Sequence, residues 1–175
     1  MVAMGALVVY ESMYGNTRAV AEAVAEGLRT VMPTEVVEVG QAPELESLET
    51  DLLVVGAPTH AFGLSRPETR RDAYERAGHP VISEATGVRE WLGAAYSVRE
   101  HLPVASFDTH VKAPFPGSAH ASVAKRIARL GGEPVGRGQS FRVHGYEGPL
   151  LDGEIERART WGAELGRLVA GDRVA

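Results

Sequence analysis

The stretch Ala6-Leu7-Val8-Val9-Tyr10-Glu11-Ser12-Met13-Tyr14-Gly15-Asn16-Thr17, with the helical pattern that follows it, decides the fold. Ala6–Tyr10 is an unbroken apolar run with two valines, the pattern of a strand buried on both faces. Residues 11–17 are mostly polar and contain Gly15, so they read as a loop. In Arg18–Val31, Val20, Val24, Leu28 and Val31 recur at helical spacing beside Ala21 and Ala25. Asn16 or Thr17 can cap the start of this helix, and Pro33 lies just past its end. The unit is strand, loop, helix.

The same alternation continues outward. Glu35–Val39 reads as a second strand and Asp51–Gly56 as a third, followed by a loop from Ala57 to Arg66. Residues 67–78 are charged and read as a helix, 79–86 as loop, and Val88–Ala95 as a short helix with Trp91 and Leu92. Pro103–Asp108 is a fourth strand, and Thr109–Gly117 is a loop. Ser118 caps a helix to Leu130 that Gly131-Gly132 stops. Val135–Val143 holds a fifth strand, where Gly136-Arg137-Gly138 marks a bulge. The last helix covers 153–170, with Ile155, Ala158, Gly162, Leu165 and Val169 on one stripe. Strands alternating with helices imply βαβ units. The expectation is an α/β fold: a three-layer, doubly wound parallel sheet of five strands in a single domain over residues 1–175. Ligands bind such sheets outside the carboxyl ends of the strands, which selects loops 11–17, 57–66 and 109–117.

Composition narrows the chemistry. The 175 residues are 44% hydrophobic and include no cysteine, which removes disulfide scaffolds, cysteine-ligated metals and thiol catalysis. Eighteen basic residues against 23 acidic ones give a net charge of -5, which argues against nucleic acid as a partner. No basic residue precedes the apolar run, since the first is Arg18, so a secretory signal is not expected. No apolar run approaches a membrane span, and the expected location is the cytoplasm. The histidines lack metal-binding spacing, so no metal is expected.

The first loop carries the sharpest chemical signal. A helix start offers free N–H groups and a positive dipole end, which together attract phosphate. Gly15 lets the backbone approach an anion, Ser12 and Thr17 supply hydroxyls, and Asn16 supplies an amide. No lysine is present, so the phosphate would be held by neutral donors. The Walker A and Gly-x-Gly-x-x-Gly patterns are both absent from this loop.

Ser12-x-Tyr14-Gly15-Asn16-Thr17 resembles the phosphate loop of the flavodoxin-like family, which runs Thr/Ser-x-Thr-Gly-x-Thr and wraps the phosphate of FMN. Ser12, Gly15 and Thr17 match its fixed positions. Tyr14 replaces a threonine, as in the family's NAD(P)H:quinone oxidoreductases. The resemblance implies strand order 2-1-3-4-5, FMN as cofactor, and a phosphate held by Ser12, Met13, Tyr14, Gly15, Asn16 and Thr17. It also implies that Pro58, Thr59, His60, Phe62 and Gly63 face the flavin ring, with Phe62 stacking. Asp108, Thr109 and His110 would close the far side. The acidic and aromatic residues usual in the family's third loop are largely replaced by His110, Lys112 and Phe115.

Three functions follow. The first is an FMN-binding electron-transfer protein that meets a redox partner protein. The second is an NAD(P)H-dependent FMN or quinone reductase. The third is a flavin-free binding module of the same fold. A response-regulator receiver is excluded, because the end of the third strand reads Val54-Val55-Gly56 and lacks its aspartate. No residue receives a firm catalytic role; His60 and His110 are the candidates for giving a proton to a reduced quinone. Arg66, Arg70, Arg71 and Arg76, interleaved with Glu68, Asp72 and Glu75, read as a solvated helix face with i,i+4 pairs. Their functional alternative is a patch for an acidic partner or a nicotinamide phosphate. Trp91 and Trp161 read as packing residues, and a monomer and a homodimer are both open.

Overall fold

The computed structural model describes residues 5–114 and 117–172. Phe115 and the N-terminal residues 1–4 lie outside the described residues. In chain order the elements are β1 (Ala6–Tyr10), α1 (Asn16–Arg29), β2 (Thr34–Glu38), β3 (Leu52–Pro58), α2 (Pro67–Ala77) and α3 (Val88–Ala94). They continue with β4 (Pro103–Val111), α4 (Ala119–Arg129), β5 (Glu133–Pro134), β6 (Gln139–Val143) and α5 (Glu154–Asp172).

The strands form one parallel sheet in the order β2-β1-β3-β4-β5, with β6 also paired to β4. The order is the expected one. The last position differs in detail, because two short strands share it. β5 pairs with Pro103 and Val104, and β6 pairs with Phe107 to Val111. The segment around Gly136, at φ +64°, separates them. β4 also runs three residues past the expected end at Asp108, because β6 continues its hydrogen-bonded ladder to Val111. Asp108, Thr109 and His110 are therefore strand residues and not part of a loop.

β1 is buried along its whole length, and its side chains alternate between two cores, as the period of a strand requires. Ala6, Val8 and Tyr10 join Leu52, Val54, Ala105 and Phe107 under α1 and α5. Leu7 and Val9 join Leu53, Val55 and Val104 under α3 and α4. Trp161 packs as expected, in an edge-on cluster with Phe107 and Phe141 whose ring centroids lie 5.9–6.2 Å apart. Trp91 is buried in the second core, and its indole N–H donates to the Pro43 carbonyl.

α1 is held by backbone-to-backbone contact with α5. A Cβ added at Gly162 would lie 2.1 Å from the Val24 carbonyl oxygen, and one at Gly27 would lie 2.0 Å from that of Arg159. Only glycines permit this approach, and it sets where α1 begins. Gly162→Ala is expected to cost about 1–3 kcal/mol through overpacking. Gly93→Ala, on an exposed turn of α3 with nothing within 4 Å of the added atom, should instead raise stability by up to about 1 kcal/mol. Urea unfolding of the two variants checks the contrast.

Candidate functional site

A cleft of about 450 Å³ opens at the carboxyl end of the sheet, within the roughly 300–1,000 Å³ range of small-molecule sites. It brings together Ser12, Met13, Tyr14, Asn16 and Thr17 from the first loop with Pro58, Thr59, His60 and Phe62 from the second. Thr109 and His110 of β4 complete the expected set. Gly15, Gly63 and Asp108 do not line it.

The first loop is built around Gly15, which starts α1 at φ +101°, a backbone conformation that side-chain-bearing residues rarely adopt. Neither Asn16 nor Thr17 caps the helix, contrary to expectation. The Ser12 hydroxyl accepts the Gly15 amide at 3.1 Å and so closes the turn. Asn16 Nδ2 donates to the Glu147 carbonyl at 3.0 Å, and the Thr17 hydroxyl bonds that of Thr109 at 2.7 Å. The amides of Asn16, Thr17 and Arg18, in the first helical turn, have no intrahelical acceptor. The loop is braced by the chain around Ser83: the Ser83 amide donates to the Ser12 carbonyl at 2.8 Å, and the Ile82 amide to that of Met13 at 3.1 Å. Sequence reading treats 79–86 as simple loop, because this pairing joins segments far apart in the chain.

The second loop makes a tight hairpin. His60 and Gly63 exchange backbone hydrogen bonds of 2.7 and 2.9 Å. Between them Ala61 and Phe62 both have positive φ, at 45° and 72°. This is the geometry of a type I′ turn, which normally uses asparagine and glycine. Two residues with side chains are thus held in a left-handed conformation that costs about 1–2 kcal/mol each, and Phe62 is left 71% exposed at the cleft. The Phe62 carbonyl accepts the Ser118 amide, and the Thr59 amide donates to the Thr109 carbonyl, so the strained turn is tied at both ends.

The residues expected to close the far side divide between the faces of β4. Thr109 joins Thr17 beside α1. Asp108 is fully buried toward α4, where its Oδ2 accepts the His120 amide at 3.1 Å and the Ser118 hydroxyl at 3.2 Å. A carboxylate there complements the positive end of the helix. His110 Nδ1 lies 3.4 Å from Asp108 Oδ1.

In the arginine-rich segment Arg66, Arg71 and Arg76 are exposed as expected, and Arg70 departs from expectation. Arg70 is not solvated: it is 2% exposed and bridges Glu90 Oε1 at 2.9 Å and the Ser65 hydroxyl at 2.9 Å. Buried Glu11, at the end of β1, sits beside this cluster and accepts the Val88 amide at 2.7 Å. Burial pushes the Glu11 carboxyl above its usual range, against the opposing pull of Ser65, the Val88 amide and Arg70. The cluster holds α3 against the first strand. Tertiary packing pulled Arg70 inward, and no local pattern marks it. Arg76, one of the arginines of the charged segment, also lines the cleft, and so does Tyr146, which no sequence signal marks. Tyr146 follows β6, so the rule that sites form at strand carboxyl ends reaches it once that strand's end is known.

Burial and the nearby Arg70 charge push the His60 imidazole down to about 4. Its Nδ1 lies 3.1 Å from the Thr69 hydroxyl. A lowered histidine pKa means the unfolded chain binds the extra proton below pH 6.5, so the stability due to a neutral His60 is complete above 6.5 and is lost as pH falls toward 4. His60→Gln should flatten that part of the stability profile, measured by urea unfolding across pH 4–7. Phe62→Gly should relieve turn strain and raise stability by roughly 0.5–1 kcal/mol, again by urea unfolding.

Residues 8–82 match the family model described as Flavodoxin. Solved structures similar over nearly the whole chain include a flavodoxin from the domain Archaea, at 18% identity and TM-score 0.67, covering 95% of this chain and 99% of that one. A flavodoxin of Streptococcus pneumoniae TIGR4 aligns at 19% identity and TM-score 0.62, covering 96% and 99%. The rubredoxin oxygen:oxidoreductase of Desulfovibrio gigas aligns at 15% identity and TM-score 0.62, covering 98% of this chain and 37% of that one. No curated protein sequence matches. Residues 8–82 carry the pattern of the flavodoxin family, and the sheet order and the solved neighbours show that the chain has the flavodoxin-like fold.

Proposed function

We propose that the cleft binds FMN and that the protein works in electron transfer. The observation that carries this reading is that the Gly15-started helix and the strained Phe62 hairpin open onto one cleft. The donor set suits the group. The first-turn amides of α1 and the Ser12 hydroxyl meet the needs of a phosphate monoester, and the positive end of the helix adds favourable charge. Exposed Phe62, held in place at a cost in strain, offers an aromatic face to a planar ring. Pro58 and Thr59 line the same cleft.

FMN, when bound, supplies the redox chemistry. The protein binds, orients and shields. His60, pushed down to about 4, is neutral near pH 7 and serves as a hydrogen-bonding partner of Thr69, not as a cationic proton donor. That favours the carrier over a reductase that delivers protons to a quinone from this residue.

Titration with FMN tests the reading. Binding should quench flavin fluorescence and give a yellow protein; unquenched fluorescence and a colourless protein would overturn it. Phe62→Gly should weaken FMN and riboflavin alike, by roughly three- to tenfold, because the lost stacking contact serves the ring. Oxidation of NAD(P)H by the loaded protein with a benzoquinone would argue for the reductase.

A further inference from the structure

We infer that Arg76 is an anion receptor in the cleft wall, selecting a ligand that carries a phosphate monoester, with Tyr146 as its platform. This rests on the flavin reading above and changes one part of it: the phosphate would not be held by neutral donors alone.

Three observations converge. The Arg76 guanidinium lies 4.0 Å from the centroid of the Tyr146 ring. Stacking uses the face of a guanidinium and leaves its in-plane N–H donors directed outward. Among the described residues Arg76 makes no hydrogen bond or ion pair, so that edge is available.

Both groups also stand beside the first loop. They line the same cleft as Ser12, Asn16 and Thr17. The Tyr14 hydroxyl donates to the carbonyl of Ala73, one turn before Arg76 on α2. Burial pushes the Tyr14 phenol up, with the Arg76 charge opposing that rise and the Glu147 carboxylate adding to it.

The platform is itself anchored. Glu147, next to Tyr146, takes the Asn16 amide group on its carbonyl, so the stacked pair is tied to the first residue of α1. Asp72, one turn earlier on α2, shares the cleft wall. The wall is therefore of mixed charge, and an anion gains only where it meets the free edge of Arg76.

The test is a titration of FMN and riboflavin against the wild type, Arg76→Gln, Arg76→Lys and Tyr146→Leu. Arg76→Gln should weaken FMN about tenfold, the loss of one charge-assisted hydrogen bond, and leave riboflavin as in the wild type. Arg76→Lys should fall between, keeping the charge without the planar edge. Tyr146→Leu should lose part of the FMN preference. Added salt should weaken FMN binding in the wild type more than in Arg76→Gln. Unchanged FMN affinity in Arg76→Gln, or equal loss for both flavins, would overturn the assignment while leaving the flavin site standing. So would a wild type that does not prefer FMN. If the wild type binds neither flavin, the flavin reading itself falls and the assignment falls with it.

Discussion

β1 is covered on both faces, and the cleft depends on that. A strand with Ala6, Val8 and Tyr10 in one core and Leu7 and Val9 in the other cannot shift by one residue without exchanging its two packing surfaces. Its end is therefore fixed, and so is the start of the loop that follows it. α1 is fixed separately by the backbone contact at Gly27 and Gly162. The loop between Tyr10 and Asn16 has to span two immobile ends, and Gly15 at φ +101° makes that span possible. A ready-made set of amides at a helix start is the outcome.

Where β1 is stable by agreement of every local preference, the second loop is stable in spite of them. Ala61 and Phe62 occupy left-handed backbone, and neighbouring hydrogen bonds from Thr59 and Ser118 hold them there. Strain that the surroundings enforce concentrates at sites that bind or switch. Nearby, Arg70 and Glu90 pair with Arg70 almost fully buried. Such pairs contribute little net stability, yet removing one partner is costly. Both features place rigidity around the cleft at the expense of stability.

Much of this was legible in the residues. The apolar run Ala6–Tyr10, the helical spacing after it and the Gly15 loop between them report a strand, a helix and the turn that joins them, because each depends on local pattern. Ser118 as a helix cap and Gly131-Gly132 as a stop are local in the same way, and both appear in the structure. Neither Asn16 nor Thr17 caps the helix, because Asn16 reaches Glu147 and Thr17 turns inward to Thr109, partners far away in the chain. β4 is longer than its local pattern indicates because the ladder with β6 extends it. Arg70 reads as surface because a helix of arginines and acids gives no sign of which arginine packs inward against Ser65 and Glu90.

The sequence by itself determined the alternation of strands and helices, the layer order and the loop that starts α1 at Gly15. These follow from periodicity and turn chemistry, both of which act over a few neighbouring residues. Only the tertiary structure decided that Asp108 serves α4 and not the cleft, that Phe62 stands exposed on a strained turn, and that Arg76 meets Tyr146. The Asp108 and Arg76 outcomes are contacts between separate elements, and the Phe62 turn is held by hydrogen bonds to Thr109 and Ser118, so all three depend on how packed elements are placed in space.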